Sequence, residues 1–277
     1  MKFTLNCRGR LLDLSTPAIM AVLNITPDSF HRASRIQEAD SVLKAAEKFL
    51  LQGAAIIDIG AQSSRQGAEF LNAEQEWSRL ENILPILAKE FPDAIISIDT
   101  FHSIVAKRAV DEGCSIINDI SAGNTDERML QTVAELKVPY ILMHMQGTPA
   151  TMQKNPHYKN VVTEVMDFFD QKLSVLKSLG TTDILLDPGF GFGKLNEHNY
   201  ALLKNLNAFS IFGMPVVAGL SRKSMITRIL DIRAEEALNG TSVLNTLAIL
   251  NGASILRVHD VIEAKQVITL MSQYSKA

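Results

Sequence analysis

At 277 residues, 47% of them apolar, the chain is long for an ordinary domain and of normal length for one α/β barrel. A net charge of −3 without basic clusters argues against nucleic acid or an anionic membrane as its partner. The N-terminal MKFTLNCRGR has no apolar core of signal-peptide length and no run long enough to span a bilayer, so a cytoplasmic protein is expected.

Residues 3–14 alternate loosely around Cys7-Arg8-Gly9-Arg10, a turn signal that predicts a short antiparallel hairpin ahead of the main fold. Eight short apolar runs follow, at Ala18–Leu23, Ala54–Ile59, Ala94–Ile98, Cys114–Ile117, Pro139–Met143, Asp183–Leu186, Pro215–Ala218 and Ala253–Val258. Cys114 opens the fourth and reads as a buried free thiol; with Cys7 it offers neither a disulfide framework nor a paired metal-ligand spacing. Between the runs lie segments of helical period. Asn72–Phe91 places Trp77, Leu80, Ile83, Leu84 and Leu87 at helical spacings, with a kink expected at Pro85. His157–Leu179 aligns Val162, Val165, Phe169, Leu173 and Leu176 and stops at Gly180. Gly240–Leu250 is an apolar helical segment that suits either core or a subunit contact. The last segment opens with Asp260-x-x-Glu263, which has the form of a capping box, and turns Val261, Ala264, Ile268 and Met271 inward.

Apolar strands alternating with amphipathic helices require parallel pairing through right-handed crossovers. Eight such units predict a TIM (β/α)8 barrel spanning residues 1–277 as one domain; an open doubly wound sheet is the rival, usually with fewer strands. The turn-rich interval His144–Asn160 is expected over the barrel mouth or beside it.

The active site of such a barrel lies at the C-terminal strand ends. The stretch DILLDPGFGFGK, Asp183–Lys194, puts Asp187 there, at the end of a buried strand where an unpaired charge is strongly disfavoured. Its glycine-rich continuation lacks the Lys-Ser or Lys-Thr pair of a P-loop. The other strand ends supply Asn24, Asp58, Asp99-Thr100, Asn118-Asp119, Met143-His144, Ser221-Arg222-Lys223 and Arg257-x-His259. For Asp58 a core lysine or backbone amides as partners is favoured over a ligand; Asp119 and Thr100 suit helix caps, and His144 and His198 suit structural or surface roles. Together, Asp99, Asn118 and Asp187, with Lys223 opposite, suit a flat heterocycle presenting amino and ring N–H donors. Arg65, Arg222, Arg257 and His259 form a rim suited to a phosphate or pyrophosphate, with Asn24 an oxygen ligand for Mg²⁺ beside it.

At these residues the sequence resembles the dihydropteroate synthase family. The matching blocks run nearly the whole length: IMAVLNITPDSF (19–30), GAAIIDIG (53–60) followed by SSRQGAE, ISIDT (96–100), IINDISAG (116–123), ILMHMQGTP (141–149), DPGFGFGK (187–194), GLSRK (219–223) and ILRVHDV (255–261). The resemblance implies a barrel joining 6-hydroxymethyl-7,8-dihydropterin pyrophosphate to p-aminobenzoate, with Mg²⁺ as cofactor and a homodimer as the assembly. It places the pterin on Asp99, Asn118, Met143, Asp187, Phe192 and Lys223, and the pyrophosphate on Asn24, Arg65, Arg257 and His259, with the metal at Asn24. It places p-aminobenzoate, and sulfonamides as its mimics, on Phe30, Ser64, Arg65, Ser221 and Lys223; Asp99, Lys223, Arg257 and His259 carry the catalysis.

Two loops depart from the family pattern. After Asp-Ser-Phe the family usually continues Ser-Asp-Gly-Gly, and here stands His31-Arg32-Ala33-Ser34. Where it usually reads Gly-Glu-Ser-Thr-Arg-Pro-Gly, here stands Ala61-Gln62-Ser63-Ser64-Arg65-Gln66-Gly67, without the acid and the stiffening proline. Those departures keep a non-catalytic pterin-binding paralogue as an alternative, alongside a barrel of the methyltetrahydrofolate methyltransferase type and a Schiff-base aldolase using Lys223.

Overall fold

The computed structural model describes residues 3–25, 32–62, 70–148 and 151–277, with the backbone alone over 32–38. It opens on a hairpin, β1 (Thr4–Cys7) pairing antiparallel with β2 (Arg10–Asp13). Arg8 and Gly9 between them both take positive φ, 56° and 88°, which matches the twist of a two-residue hairpin turn. Asn6 Oδ1 accepts from the Gly9 N–H at 2.7 Å and fixes that turn.

The chain then alternates. β3 (Ala18–Asn24), α1 (Arg32–Gln52), β4 (Ile56–Gly60), α2 (Ala73–Leu80) and α3 (Leu84–Glu90) lead to β5 (Ile95–Asp99) and α4 (Ser103–Asp111). β6 (Ile116–Asp119), α5 (Met129–Leu136), β7 (Tyr140–Met143), α6 (Val161–Ser178), β8 (Ile184–Asp187) and α7 (Asn196–Lys204) follow. β9 (Val217–Ala218), α8 (Ser224–Leu230), α9 (Leu238–Leu250), β10 (Ile255–Val258) and α10 (Val261–Tyr274) complete it. All eight strands from β3 to β10 pair in parallel, in the order β8-β7-β6-β5-β4-β3-β10-β9. A parallel bridge between Leu186 and Val216, with the Leu186 N–H donating to Pro215 O at 2.9 Å, joins the two ends of that order. The sheet is a barrel, as the eight apolar runs predict.

Strand residues alternate between two cores. Ile19, Ala21, Leu23, Ile57, Ile59, Ile96, Ile98, Ile117, Leu142 and Leu186 pack outward under the helices. Their neighbours Met20, Ile56, Ile95, Ile116, Ile141, Leu185, Val217 and Ile255 point inward at the N-terminal end. There they meet Leu5, Cys7, Leu12 and Leu14 of the hairpin segment, which covers the barrel floor. Cys7 and Cys114 are buried and unpaired, and burial pushes both thiols up, Cys7 to about 12, so neither is a thiolate at neutral pH.

Local chemistry departs from the sequence reading in three places. Pro85 does not kink a long helix; it falls in the first turn of α3, where its missing N–H is harmless, and α2 ends separately at Leu80. Asn72 and Gln75 form a capping box on α2 that the periodicity did not reveal. The box expected at Asp260 is absent, because that carboxylate grips Arg222 instead. Helix α1 already begins at Arg32, within the segment where the family usually has two glycines.

Candidate active site at the barrel mouth

The inward parity that builds the floor also builds the site. Continuing two residues at a time along the strands, the inward positions reach Asp58 on β4, Asp99 on β5, Asn118 on β6, Met143 on β7, Asp187 on β8 and Arg257 on β10. Register aligns them laterally: Asn24 pairs with Gly60, Gly60 with Asp99, Asp99 with Asn118, and Met143 with Asp187. Met143 stays apolar, and the polar side chains gather at the C-terminal end of the barrel, which is the mouth.

Arg257 is the hub. Its Nε donates to Asp58 Oδ2 at 2.7 Å, and its Nη2 lies 2.6 Å from the same oxygen and 2.7 Å from Asp99 Oδ2. Asn118 Nδ2 also donates to Asp58 Oδ2, at 3.1 Å, while Asp58 Oδ1 is buried without a hydrogen-bond partner among the described residues. Asp58 therefore has the structural partner expected of it, an arginine rather than a lysine. Burial works against charge on Arg257, but Asp58 and Asp99 hold its guanidinium above the ordinary arginine range. Burial pushes Asp99 up to about 7 against the pull of Arg257, with the charges of Asp58, Asp119 and Asp187 adding to the rise.

Across the mouth, Asp187 accepts the Gly189 N–H on Oδ1 at 2.8 Å. Burial raises its pKa while Lys223, the Gly189 amide and Arg257 oppose the rise. Burial lowers Lys223 to about 8, against Asp187; its ammonium donates to Phe190 O and lies 4.7 Å over the Phe192 ring. Phe101, Ile120 and Met143, with Met145 and Phe192 packed against them, add an apolar wall. Three acids, two cations, one amide and a flat apolar wall surround one opening. That set can hold a planar ring by its edge and stabilise positive charge on it.

The rim differs from expectation. Arg222 forms a bidentate pair with Asp260 (2.9 and 2.7 Å) and donates to Ala234 O and Glu235 O, so its guanidinium is a structural tie and not an anion site. Arg257 lies inside, between two acids. Ser221 Oγ and His259 Nδ1 are 3.0 Å apart, and burial with the Arg257 charge lowers the His259 pKa, keeping the imidazole neutral. Asn24 Oδ1 and the Asp99 side chain border the same face of Gly60. These are hard oxygen donors of the kind Mg²⁺ takes together with water and phosphate. Among the described residues no group of three His, Cys, Asp or Glu side chains forms a metal cluster. Phe30, Ser64 and Arg65 lie outside the described residues.

A model of the pterin-binding enzymes matches residues 20–259. The chain belongs to the pterin-binding enzyme family. A dihydropteroate synthase of Haemophilus influenzae is 40% identical over 275 residues, covering 99% of each chain. The dihydropteroate synthase of Yersinia pestis, solved with a sulfonamide drug, superposes with a TM-score of 0.92 at 36% identity over the whole of both chains. That of Xanthomonas albilineans, solved with 4-aminobenzoic acid, gives 0.91 at 34%, again over both whole chains.

Within this pterin-binding barrel the remaining strand-end residues serve the frame. Asp119 faces the helices and accepts from Ser121 N–H, Gly123 N–H and Tyr140 OH at 2.7–2.8 Å, so it shapes a turn and does not cap a helix. Thr100 Oγ1 accepts the His102 N–H at 3.1 Å, while Asp126 reaches across to take the Ser103 N–H and hydroxyl at the start of α4. His144 is buried and neutral, its pKa lowered to about 2 by burial and by Lys194. His198 accepts the Leu195 N–H at the start of α7.

The glycine-rich loop packs against a neighbouring strand exit. Gly189 and Gly193 have positive φ, and a Cβ on either would overlap the carbonyl oxygen of His144 or Gln146. They let the loop press against the exit of β7.

Proposed function

We propose that this chain is a dihydropteroate synthase, a transferase of folate biosynthesis that condenses 6-hydroxymethyl-7,8-dihydropterin pyrophosphate with p-aminobenzoate, giving 7,8-dihydropteroate and pyrophosphate. The observation that carries this reading is the inward row of Asp99, Asn118 and Asp187 facing Lys223 at the mouth. Carboxylates accept from the amino and ring N–H groups of a pterin edge, Lys223 donates to its carbonyl or ring nitrogen, and Met143 and Phe192 cover its faces.

The reaction breaks the bond between the pterin methylene and the pyrophosphate oxygen. As that bond lengthens, positive charge spreads into the ring, where Asp99 and Asp187 stabilise it. Arg257 and neutral His259 donate to the departing pyrophosphate. Asn24 would help hold a Mg²⁺ ion, which when bound would supply positive charge beside the leaving group. The aromatic amine needs placement more than activation, which Ser221 and Lys223 provide together with Phe30, Ser64 and Arg65; its N–H proton passes to solvent water after the C–N bond forms. No nucleophilic Ser or Cys is required. Sulfonamides occupy the p-aminobenzoate place.

Among the described residues no helix is long and apolar enough to cross a membrane, in keeping with a cytoplasmic enzyme. Val243, Leu247 and Leu250 on α9 are exposed, an apolar set that suits a homodimer contact. A coupled assay with both substrates and Mg²⁺ tests the reading: pyrophosphate release that requires p-aminobenzoate is expected. Pterin binding without release would instead establish a non-catalytic pterin binder.

A further inference from the structure

The loop that follows Asp187 has an unusual way of satisfying its backbone. It belongs to neither helix nor strand, yet its carbonyls at 189–193 each meet a side chain. Lys194 Nζ donates to Gly189 O and Phe192 O, both at 3.0 Å. Lys223 donates to Phe190 O, Gln153 Nε2 to Gly191 O at 2.7 Å, and Tyr158 OH to Gly193 O at 2.8 Å. Asn199 Oδ1 accepts the Gly191 N–H at 2.7 Å. Backbone groups this buried need partners, and here the partners set the shape.

Lys194 differs from the other clamps. It is 3% exposed and reaches back over its own loop, also lying 2.9 Å from His144 Nδ1 and 3.3 Å from His144 O. It thus ties both turns of the loop to the exit of β7, where Met143 pairs with Asp187. Two functional groups hang on that loop: the Gly189 amide, which orients the Asp187 carboxylate, and the Phe192 ring under Lys223. A buried lysine is costly to the fold, because burial strips its ammonium of water and lowers its pKa well below the usual value. An apolar residue at that position would avoid that cost but leave Gly189 O, Phe192 O and His144 O without their donor, so what the lysine supplies is the shape of the loop.

We propose that Lys194 is a positioning residue for the pterin pocket, fixing the 188–193 loop so that Asp187 and Phe192 meet the ring. It touches the loop and not the substrate. The inference rests on the function proposed above, and the test separates the two. Calorimetry of pterin pyrophosphate binding is run on wild type, Lys194→Met, Lys194→Ala and Tyr158→Phe, with circular dichroism and thermal melts on each. Lys194→Met keeps the apolar stem and removes the donors to Gly189 O, Phe192 O and His144 O; its pterin Kd is expected to rise about tenfold or more. Tyr158→Phe, lacking one such bond, should raise Kd by roughly threefold.

In Lys194→Ala, n-propylamine matches the missing atoms from Cγ to Nζ, and adding it should restore pterin affinity, whereas n-propanol should not. A purely structural lysine predicts lower melting temperature with unchanged pterin Kd in the folded fraction, and that result overturns the proposal. So does equal restoration by propanol. Wild type that binds no pterin overturns the functional reading instead.

Discussion

The two ends of the barrel are built from the same inward-facing rows of the same strands, and they differ in everything else. At the floor the rows are Met20, Ile56, Ile95, Ile116, Ile141, Leu185 and Ile255, sealed by Leu5, Leu12 and Leu14 of the hairpin segment. Two residues further along, the same rows give Val22, Asp58, Ser97, Asn118, Met143, Asp187 and Arg257. One end buries apolar area, which stabilises the fold. The other gathers charges whose desolvation works against it. Stability is supplied where no chemistry occurs, and the mouth draws on it.

Substitutions at the two ends should separate these roles. The largest effect is expected from Arg257→Ala, which leaves Asp58 and Asp99 buried without their shared cation. Denaturant titration should show a loss of about 3–5 kcal/mol, and pyrophosphate release should fall at the same time. Full turnover in that variant would remove the arginine from the mechanism. Ile56→Ala at the floor should cost about 3 kcal/mol by the same titration while leaving kcat and both KM values unchanged below its melting transition. A changed KM there would mean the two ends are coupled.

Asp187→Asn should do the reverse. It exchanges an acceptor for a donor, so calorimetry should register a pterin affinity lower by about 2 kcal/mol, with a melting temperature unchanged or raised. Wild-type affinity would sink the placement of Asp187 on the ring.

The smallest effect concerns Glu76, buried on α2, with Thr100 beside its carboxylate and its Oε2 3.9 Å from His102 Nε2. Burial, with the Asp99 charge adding and Thr100 opposing the rise, pushes it up to about 8. Its folded pKa exceeds its unfolded one, so its contribution is fully present below the ordinary value of 4.5 and is lost as pH rises to about 8. Melting temperatures of wild type and Glu76→Gln across that window should therefore diverge, the wild type falling relative to the variant as pH rises. Parallel curves would show that Glu76 does not titrate there.

Much of the barrel was legible because parallel strands buried on both faces read as apolar runs, and all eight appear where the runs stand. The mouth was legible because acids, amides and cations recur together at the ends of otherwise apolar strands. The role of Asp58 as the partner of Arg257 was not, since 199 residues separate them in sequence, although its parity with Ile56 marks it as inward-facing. Asp260 looked like a cap because Glu263 stands three residues on; the longer reach of Arg222 prevails over that local signal. The glycines at 189 and 193 lack the spacing of a P-loop, but their use in close approach to His144 and Gln146 is a contact between segments that no local pattern records.

The hairpin across the floor has a kinetic consequence. With that end closed by Leu5, Leu12 and Leu14, traffic into and out of the barrel has one door. A molecule seated against Asp187 and Asp99 is then covered by whatever binds above it. Such a molecule enters and leaves by the mouth alone.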